Sequence, residues 1–146
     1  MLHKVVSHQK DGVLLKGFAR EILPAEGEFD LVTEDRKREK VKFKNLKALF
    51  FVKDFKGNPY SQESKIFGDS SPKWGRMARV EMWDHEVIIG KVLQSPSSGD
   101  WLYLYPADCG SNNVRILVLT ENIRDLRIGE DELKDLRREM GPYFFS

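Results

Sequence analysis

The most evident candidates for binding chemistry are lysines that alternate with apolar residues. Lys40, Lys42 and Lys44 alternate with Val41 and Phe43, so on a strand their ammonium groups would share one face. Such a face could neutralise phosphates and bind nucleic acid in a salt-dependent way. The alternative is a solvated strand face, or a sheet edge that its lysines guard against aggregation.

A second alternating stretch places Trp101, Tyr103 and Tyr105 between Leu102 and Leu104. If the two leucines face a core, the three aromatic side chains project from the opposite face of the strand. They could stack on bases or anchor a protein partner. The alternative is that they pack inside the protein against another part of the chain.

Signals for catalysis or metal binding are few. The three histidines form no ligand pair, and the single cysteine, Cys109, excludes an internal disulfide and a cysteine-based zinc cluster. The sequence has no nucleophile elbow, phosphate loop or dinucleotide fingerprint. We therefore expect no enzyme activity, no catalytic residues, no metal and no cofactor.

Composition indicates a folded protein with no strong overall field. The 146 residues are 40% hydrophobic and 32% charged, with a net charge of +1. No apolar run approaches the roughly 18 residues of a membrane span. Residues 1–4 lack the apolar segment of a signal peptide. We expect a cytoplasmic protein that does not bind membranes.

The chain shows internal similarity. Residues 10–17 resemble residues 83–90, since each segment places Asp and Gly six positions apart across an apolar run. At the same offset, residues 29–31 align with residues 102–104. Residues 45–49 align with residues 122–126 only after four extra residues, which we place in segment 106–113 of the second copy.

The pattern within each copy predicts β-structure. The Asp11-Gly12 turn signal and the alternating residues predict four or five short strands per copy, which is typical of a small barrel. The continuous apolar runs 49–52 and 114–119 suit strands that are buried on both faces.

The C-terminal segment has a different pattern. Leu133, Leu136 and Met140 follow at helical spacing after Gly129, which predicts a helix over residues 130–140. Phe144 and Phe145 then form an aromatic tail. This apolar segment could bind a partner or dock on the protein's own barrels.

Two resemblances follow from these motifs. Asp11-Gly12, the apolar run, Gly17 and residues 29–32 resemble the first half of an Sm-like barrel, a fold close to the SH3-like barrels. The Sm family implies an RNA pocket built on an apolar-Arg-Gly turn, but residues 46–48 and 123–125 lack that glycine.

Residues 46–55, 105–108 and 111–113 are similar to an uncharacterised bacterial domain family that occurs in tandem copies. That resemblance implies a bacterial cytoplasmic setting and no established activity.

The sequence therefore predicts a mainly β protein of two tandem Sm/SH3-like small barrels with a C-terminal α-helix. The predicted parts are residues 3–56 and 76–128 for the barrels, 57–75 for a linker and 129–146 for the helix and tail.

We expect a non-enzymatic intracellular protein-interaction module or adaptor. Its contacts with a protein partner would be Trp101, Tyr103, Tyr105, Phe144 and Phe145. The alternative function is RNA or single-stranded nucleic-acid binding through Lys40, Lys42 and Lys44. The sequence leaves a homo-oligomer open.

Overall fold

The computed structural model describes residues 2–56, 75–93, 100–106 and 111–129. These residues form antiparallel strands joined by turns and short 3₁₀ helices, so the prediction of a mainly β protein is confirmed. The strands are β1 (His3–Gln9), β2 (Leu14–Ala19), β3 (Glu28–Thr33), β4 (Arg38–Lys42), β5 (Leu46–Val52), β6 (Arg76–Met82), β7 (Val87–Val92), β8 (Trp101–Pro106), β9 (Asn113–Leu119) and β10 (Ile123–Ile128).

All ten of these strands belong to one sheet, in the order β10-β6-β7-β8-β9-β5-β1-β2-β3-β4. Strands β1–β5 form one half of this order and β6–β10 the other, and β5 and β9 join the halves at the centre. The described part of the sheet is not closed, so the two small barrels stay a prediction.

The strands of the two halves pair in matching registers. Val5 is paired with Gly17 between β1 and β2, and Ala78 with Gly90 between β6 and β7, each 73 positions later. Phe29 faces Val41 between β3 and β4, as Leu102 faces Val118 between β8 and β9. The offset rises to 77 in β9, so the four extra residues lie in the β8–β9 connection.

A glycine is required at the same point of each half. A Cβ atom on Gly17 would lie 2.4 Å from the carbonyl oxygen of Val32, and one on Gly90 would lie 2.5 Å from that of Tyr105. These separations are closer than nonbonded atoms allow. The glycines therefore let β2 approach β3, and β7 approach β8, at these points.

The core has two parts, which share the central strands. Leu117 and Leu119 of β9 pack into the cluster of the first half, around Leu31 and Leu49. Ala48 of β5 packs into the cluster of the second half. The apolar runs 49–52 of β5 and 116–119 of β9 exist because there each strand contacts a different core on each of its two faces.

Several predictions fall outside the described residues. The helix at 130–140, Phe144, Phe145, Cys109 and residues 57–74 of the predicted linker are among them. Within the described ranges, no helix has the length and apolar character needed to cross a membrane.

Candidate functional site

Two of the predicted binding aromatics lie beside the paired strands β5 and β9, which we call the seam. Trp101 and Tyr103 of β8 pack against the core of the first half, beside Leu117 and Leu119 of β9. This is the packing alternative considered for these side chains. Leu102 and Leu104, on the opposite face of β8, are 1% and 0% exposed, as the alternating pattern predicted.

Polar contacts also cross the seam. The Nδ2 amide of Asn122 donates to the carbonyl oxygens of Leu46 and Lys47, at 2.8 and 3.1 Å. The ammonium of Lys47 lies 2.5 Å from a carboxylate oxygen of Asp84 and also contacts Glu86. The turn between β6 and β7 is thus bound to β5 of the other half.

These charges shift one another's protonation. Burial would lower the pKa of Lys47, but hydrogen bonds to Asp84 and Glu86 outweigh it and raise the pKa above its ordinary value. The hydrogen bond from Lys47 lowers the pKa of Asp84. Both groups are therefore charged at neutral pH and attract one another.

Arg115 of β9 lies at one end of the seam. Its guanidinium carbon is 4.2 Å from the ring centroid of Phe51 and 4.8 Å from that of Tyr103, in two cation–π contacts. His3 meets the same Phe51 ring edge-on at 5.4 Å. The guanidinium therefore covers aromatic surface that a base would need for stacking.

Beside Arg115 is an open groove of about 560 Å³, which we call the seam groove. It joins apolar and aromatic side chains to cationic ones, and none of its described lining residues carries a carboxylate. The lining residues are Leu2, His3, Lys4, Phe51, Val52, Tyr105, Val114 and Arg115.

The exposure of the groove walls is uneven. Leu2 is 57% exposed and Val114 is 51% exposed, so large apolar side chains flank the groove in water. Tyr105, the third predicted aromatic, is half-buried in its wall. Burial and the neighbouring Arg115 both lower the pKa of His3, so its imidazole is neutral at pH 7.

The three lysines of the predicted basic face do not share one strand. Strand β4 ends at Lys42, and Lys44 lies in the following 3₁₀ helix, Phe43–Asn45. The expectation of a common strand face is therefore wrong for Lys44. A 3₁₀ turn replaces the alternating geometry where Phe43 enters the core.

Acidic residues of β3 partly neutralise this surface. The ammonium of Lys40 lies 3.5 Å from Glu28 and 3.7 Å from Asp30, both of which are carboxylates of the adjacent strand. Lys42 is paired with Glu28 across the ladder. A phosphate chain on this face would thus meet carboxylates as well as lysines.

The described residues contain no group of three or more histidine, cysteine, aspartate or glutamate side chains placed to hold a metal ion. No described cluster suggests acid–base chemistry, and the absence of enzyme activity stays a prediction. Phe144 and Phe145 lie outside the described residues, so their role also stays a prediction.

Sequence reasoning did not identify Arg115 or Phe51 as candidates. A signal for Arg115 was present, because it is the one charged residue in the apolar run 114–119. A charge beside the apolar residues of a strand suggests a specific partner, here two aromatic rings. Phe51 gave no such signal, since it lies among other apolar residues.

Comparison with known proteins supports the expectation of an uncharacterised family. Residues 1–129 match a family of unknown function, DUF6982. No curated protein matches the chain. The Sm/SH3-like resemblance and the bacterial, cytoplasmic setting stay predictions. Because the match spans most of the chain, the chain belongs to the DUF6982 family.

Proposed function

We propose that this chain is a non-enzymatic protein-interaction module built from two copies of one five-stranded unit, residues 3–56 and 76–128. The shared strand order, the shared registers and the paired glycines Gly17 and Gly90 support two copies. A short 3₁₀ helix before the last strand of each unit is a further feature that the two units share, and the Sm/SH3-like small barrel is the fold we propose for each.

The seam groove is the observation that carries the function. It combines exposed apolar walls with a cation whose position is fixed by Phe51 and Tyr103. Exposed apolar surface next to a fixed polar group is typical of protein-binding sites. A small enzyme site would instead need convergent acid–base groups, which the described lining lacks.

The lining also defines the chemistry of the partner. Lys4 and Arg115 are cationic, His3 is neutral at pH 7, and no described lining residue is acidic. An extended segment with one carboxylate between apolar side chains would complement this surface. Its carboxylate would accept charge-assisted hydrogen bonds from Arg115 while its apolar residues cover Leu2 and Val114.

Nucleic-acid binding remains the second candidate, and exposed Arg38, Lys40 and Lys42 on β4 favour it. Against it are the carboxylates of Glu28 and Asp30 beside Lys40 and the guanidinium that covers the Phe51 and Tyr103 rings. A labelled unstructured RNA tests this candidate by fluorescence anisotropy at two salt concentrations. Tight, salt-sensitive binding that Lys40→Glu and Lys42→Glu abolish would favour RNA over a protein partner.

The protein-binding proposal is tested by panning a displayed random-peptide library on the immobilised full chain. We expect enrichment of peptides with Asp or Glu flanked by apolar residues. Arg115→Met should then weaken the enriched peptide by about tenfold, because a charge-assisted hydrogen bond is lost. Arg38→Met is the matched control, since Arg38 holds the corresponding position on β4.

Two results would overturn the proposal. One is the enrichment of no peptide family at all. The other is an enriched peptide that binds the Arg115→Met variant as tightly as the unchanged chain.

A further inference from the structure

The seam shows how the two halves of this protein pair with each other. Strand β9 of the second half lies antiparallel to β5 of the first half, with Phe50 opposite Ile116 and Phe51 opposite Arg115. The strands that correspond to these two are β4, at one edge of the sheet, and β10, at the other. In the part of the chain that the structure describes, β4 is paired only with β3 and β10 only with β6.

The surface beside β4 is an open counterpart of the seam. A groove of about 770 Å³ there is lined in part by Glu28, Asp30, Arg38 and Lys40. These residues occupy the ladder positions held in the second half by Trp101, Tyr103, Arg115 and Leu117, all of which face the first half. Among the residues that the structure describes, none fills the corresponding place at the other edge.

Residues that make the polar seam contacts recur at the two edges. Asn45 and Asn122 are each the last residue of a 3₁₀ helix. The side chain of Asn122 donates a hydrogen bond to a β5 carbonyl, whereas Asn45 is exposed. Arg124 of β10 corresponds to Lys47 of β5. Asp11, which corresponds to Asp84, would face Arg124 of a neighbouring chain as Asp84 faces Lys47.

The apolar side of β10 is only partly covered. Ile123, Leu126 and Ile128 are half-buried against the core of the second half. The corresponding residues Leu46, Leu49 and Phe51 are at most 3% exposed, because β9 covers them. A strand that lies along β10 as β9 lies along β5 would bury the remaining surface.

We propose that the chain associates head to tail with a second copy of itself, β10 of one chain lying antiparallel to β4 of the next in the register of the seam. That register places Glu39 opposite Arg127, an opposite-charge cross-strand pair, and Arg38 opposite Ile128. Arg127 already contacts Asp125 in its own chain, and Glu39 would add a carboxylate from the neighbouring chain.

The new junction is weaker than the seam. Lys40 and Lys42 stand where the seam has Leu117 and Leu119, while Asp125 and Arg127 stand where it has Ala48 and Phe50. The association is therefore reversible and sensitive to salt. Because the two joined surfaces differ, each pair of chains retains one free edge of each kind, and assembly continues to a ring or a filament.

Sedimentation velocity of the full chain over a range of concentrations tests this proposal. We expect the mean mass to rise with concentration. Glu39→Arg should weaken association by at least about tenfold, since it places two like charges opposite each other. Arg127→Glu should do the same. Glu34→Arg, in the exposed turn after β3, is the matched control for the change of charge and should have no effect.

A mixture of the two variants provides the rescue. Equal amounts of the Glu39→Arg and Arg127→Glu chains should associate, because the altered β4 edge of one variant then meets the altered β10 edge of the other with opposite charges, and the two unchanged edges still form the original pair. If Arg127→Glu lowers the melting temperature, Asn45→Ala replaces it as the second single variant, because it removes the amide that would donate to the neighbouring strand. It takes no part in the mixing test, since Asn45 and Glu39 lie at the same edge.

Two outcomes would overturn the proposal. The first is an unchanged monomer at every concentration. The second is association that Glu39→Arg leaves unaltered, which would place the contact elsewhere on the chain. Peptide binding at the seam groove uses other residues, so neither outcome bears on the proposed function.

Discussion

Strands β4 and β9 occupy corresponding positions in the two halves of the sheet but carry different side chains. On the face that points away from its own core, β4 presents Lys40 and Lys42, whereas β9 presents Leu117 and Leu119. The lysines are exposed and the leucines are buried against the other half. What lies across from a strand therefore decides its composition more strongly than its place in the sheet does.

The largest expected effect comes from the corresponding pair Leu117 and Lys40. Leu117→Ala should cost about 3 kcal/mol of unfolding free energy, because it removes a side chain that is 1% exposed in the core. Lys40→Ala, on the exposed edge, should change it by less than about 0.5 kcal/mol. Urea denaturation of both variants measures this difference. Equal losses would mean that β9 is not covered by the first half.

The second prediction concerns the close approach that the two halves share. Gly17→Ala and Gly90→Ala should each cost about 2 kcal/mol, because the added Cβ would meet a carbonyl oxygen. Gly27→Ala is the control, since nothing lies within 4 Å of its Cβ position and only its positive φ opposes the change, at about 1 kcal/mol. If only one of the two variants, Gly17→Ala or Gly90→Ala, lowers the denaturant midpoint, the close approach is not shared by the two halves.

The third prediction concerns the ion pairs of the seam. Lys47→Met should cost about 1 kcal/mol at pH 7, because Lys47 is only 21% exposed and contacts two carboxylates. Arg124→Met, at the corresponding position of β10, removes a more exposed cation (45%) that contacts one carboxylate, Glu81, and should cost about half as much. Denaturation of both variants in one buffer compares them.

The same pair predicts a pH dependence. Asp84 has a folded pKa below its ordinary 3.8, so its contribution is complete above that pH and is lost as the pH falls through the lowered pKa. Lys47 has a folded pKa above 10.5, so its contribution is complete below 10.5 and is lost as the pH rises through the raised pKa. The stability difference between the unchanged chain and Lys47→Met should be flat between these limits and shrink beyond them. A constant difference down to pH 2 would contradict this assignment.

The smallest expected effect lies in the first turn of each half. Gly12 has φ of 89° and His85 has φ of 72°, and Asp11 or Asp84 accepts a hydrogen bond from the backbone of each turn. His85→Gly should raise stability by about 0.5 kcal/mol, because a side chain at positive φ is strained and the lost contact with Arg124 is exposed. Gly12→Ala should lower it by about 1 kcal/mol. Thermal unfolding measures the stability change of both variants. A loss of stability in His85→Gly would mean that the contact with Arg124 outweighs the backbone strain.

Local sequence patterns predicted several features of the fold. The alternation of Leu102 and Leu104 with aromatics predicted the buried face of β8. The offset of 73 between the aligned segments is also the offset between the strand pairs Val5–Gly17 and Ala78–Gly90. Both depend on residues that are close in sequence. The boundary at Lys44 was missed, because Phe43 enters the core from a 3₁₀ turn that keeps the apparent alternation.

The pairing of β5 with β9 could not be read from the chain in this way. Ala48 and Val118 are far apart in sequence, and continuous apolar runs show that a strand is covered without showing by what. For the same reason the aromatics of β8 indicated either a partner or internal packing, and the sequence alone left both open. Trp101 and Tyr103 pack internally, against the core of the first half. The seam groove beside Arg115 is lined by residues of both halves, so it forms only where the halves meet.

Hydrogen exchange of the dilute chain tests the difference between seam and edges most directly. We expect the amides of β5 and β9 to be among the slowest to exchange, because each strand is paired on both sides and covered on both faces. The amides of β4 and β10 that point away from β3 and β6 should exchange much faster. Equally fast exchange in β5 and β9, or equally strong protection in β4 and β10, would contradict the account.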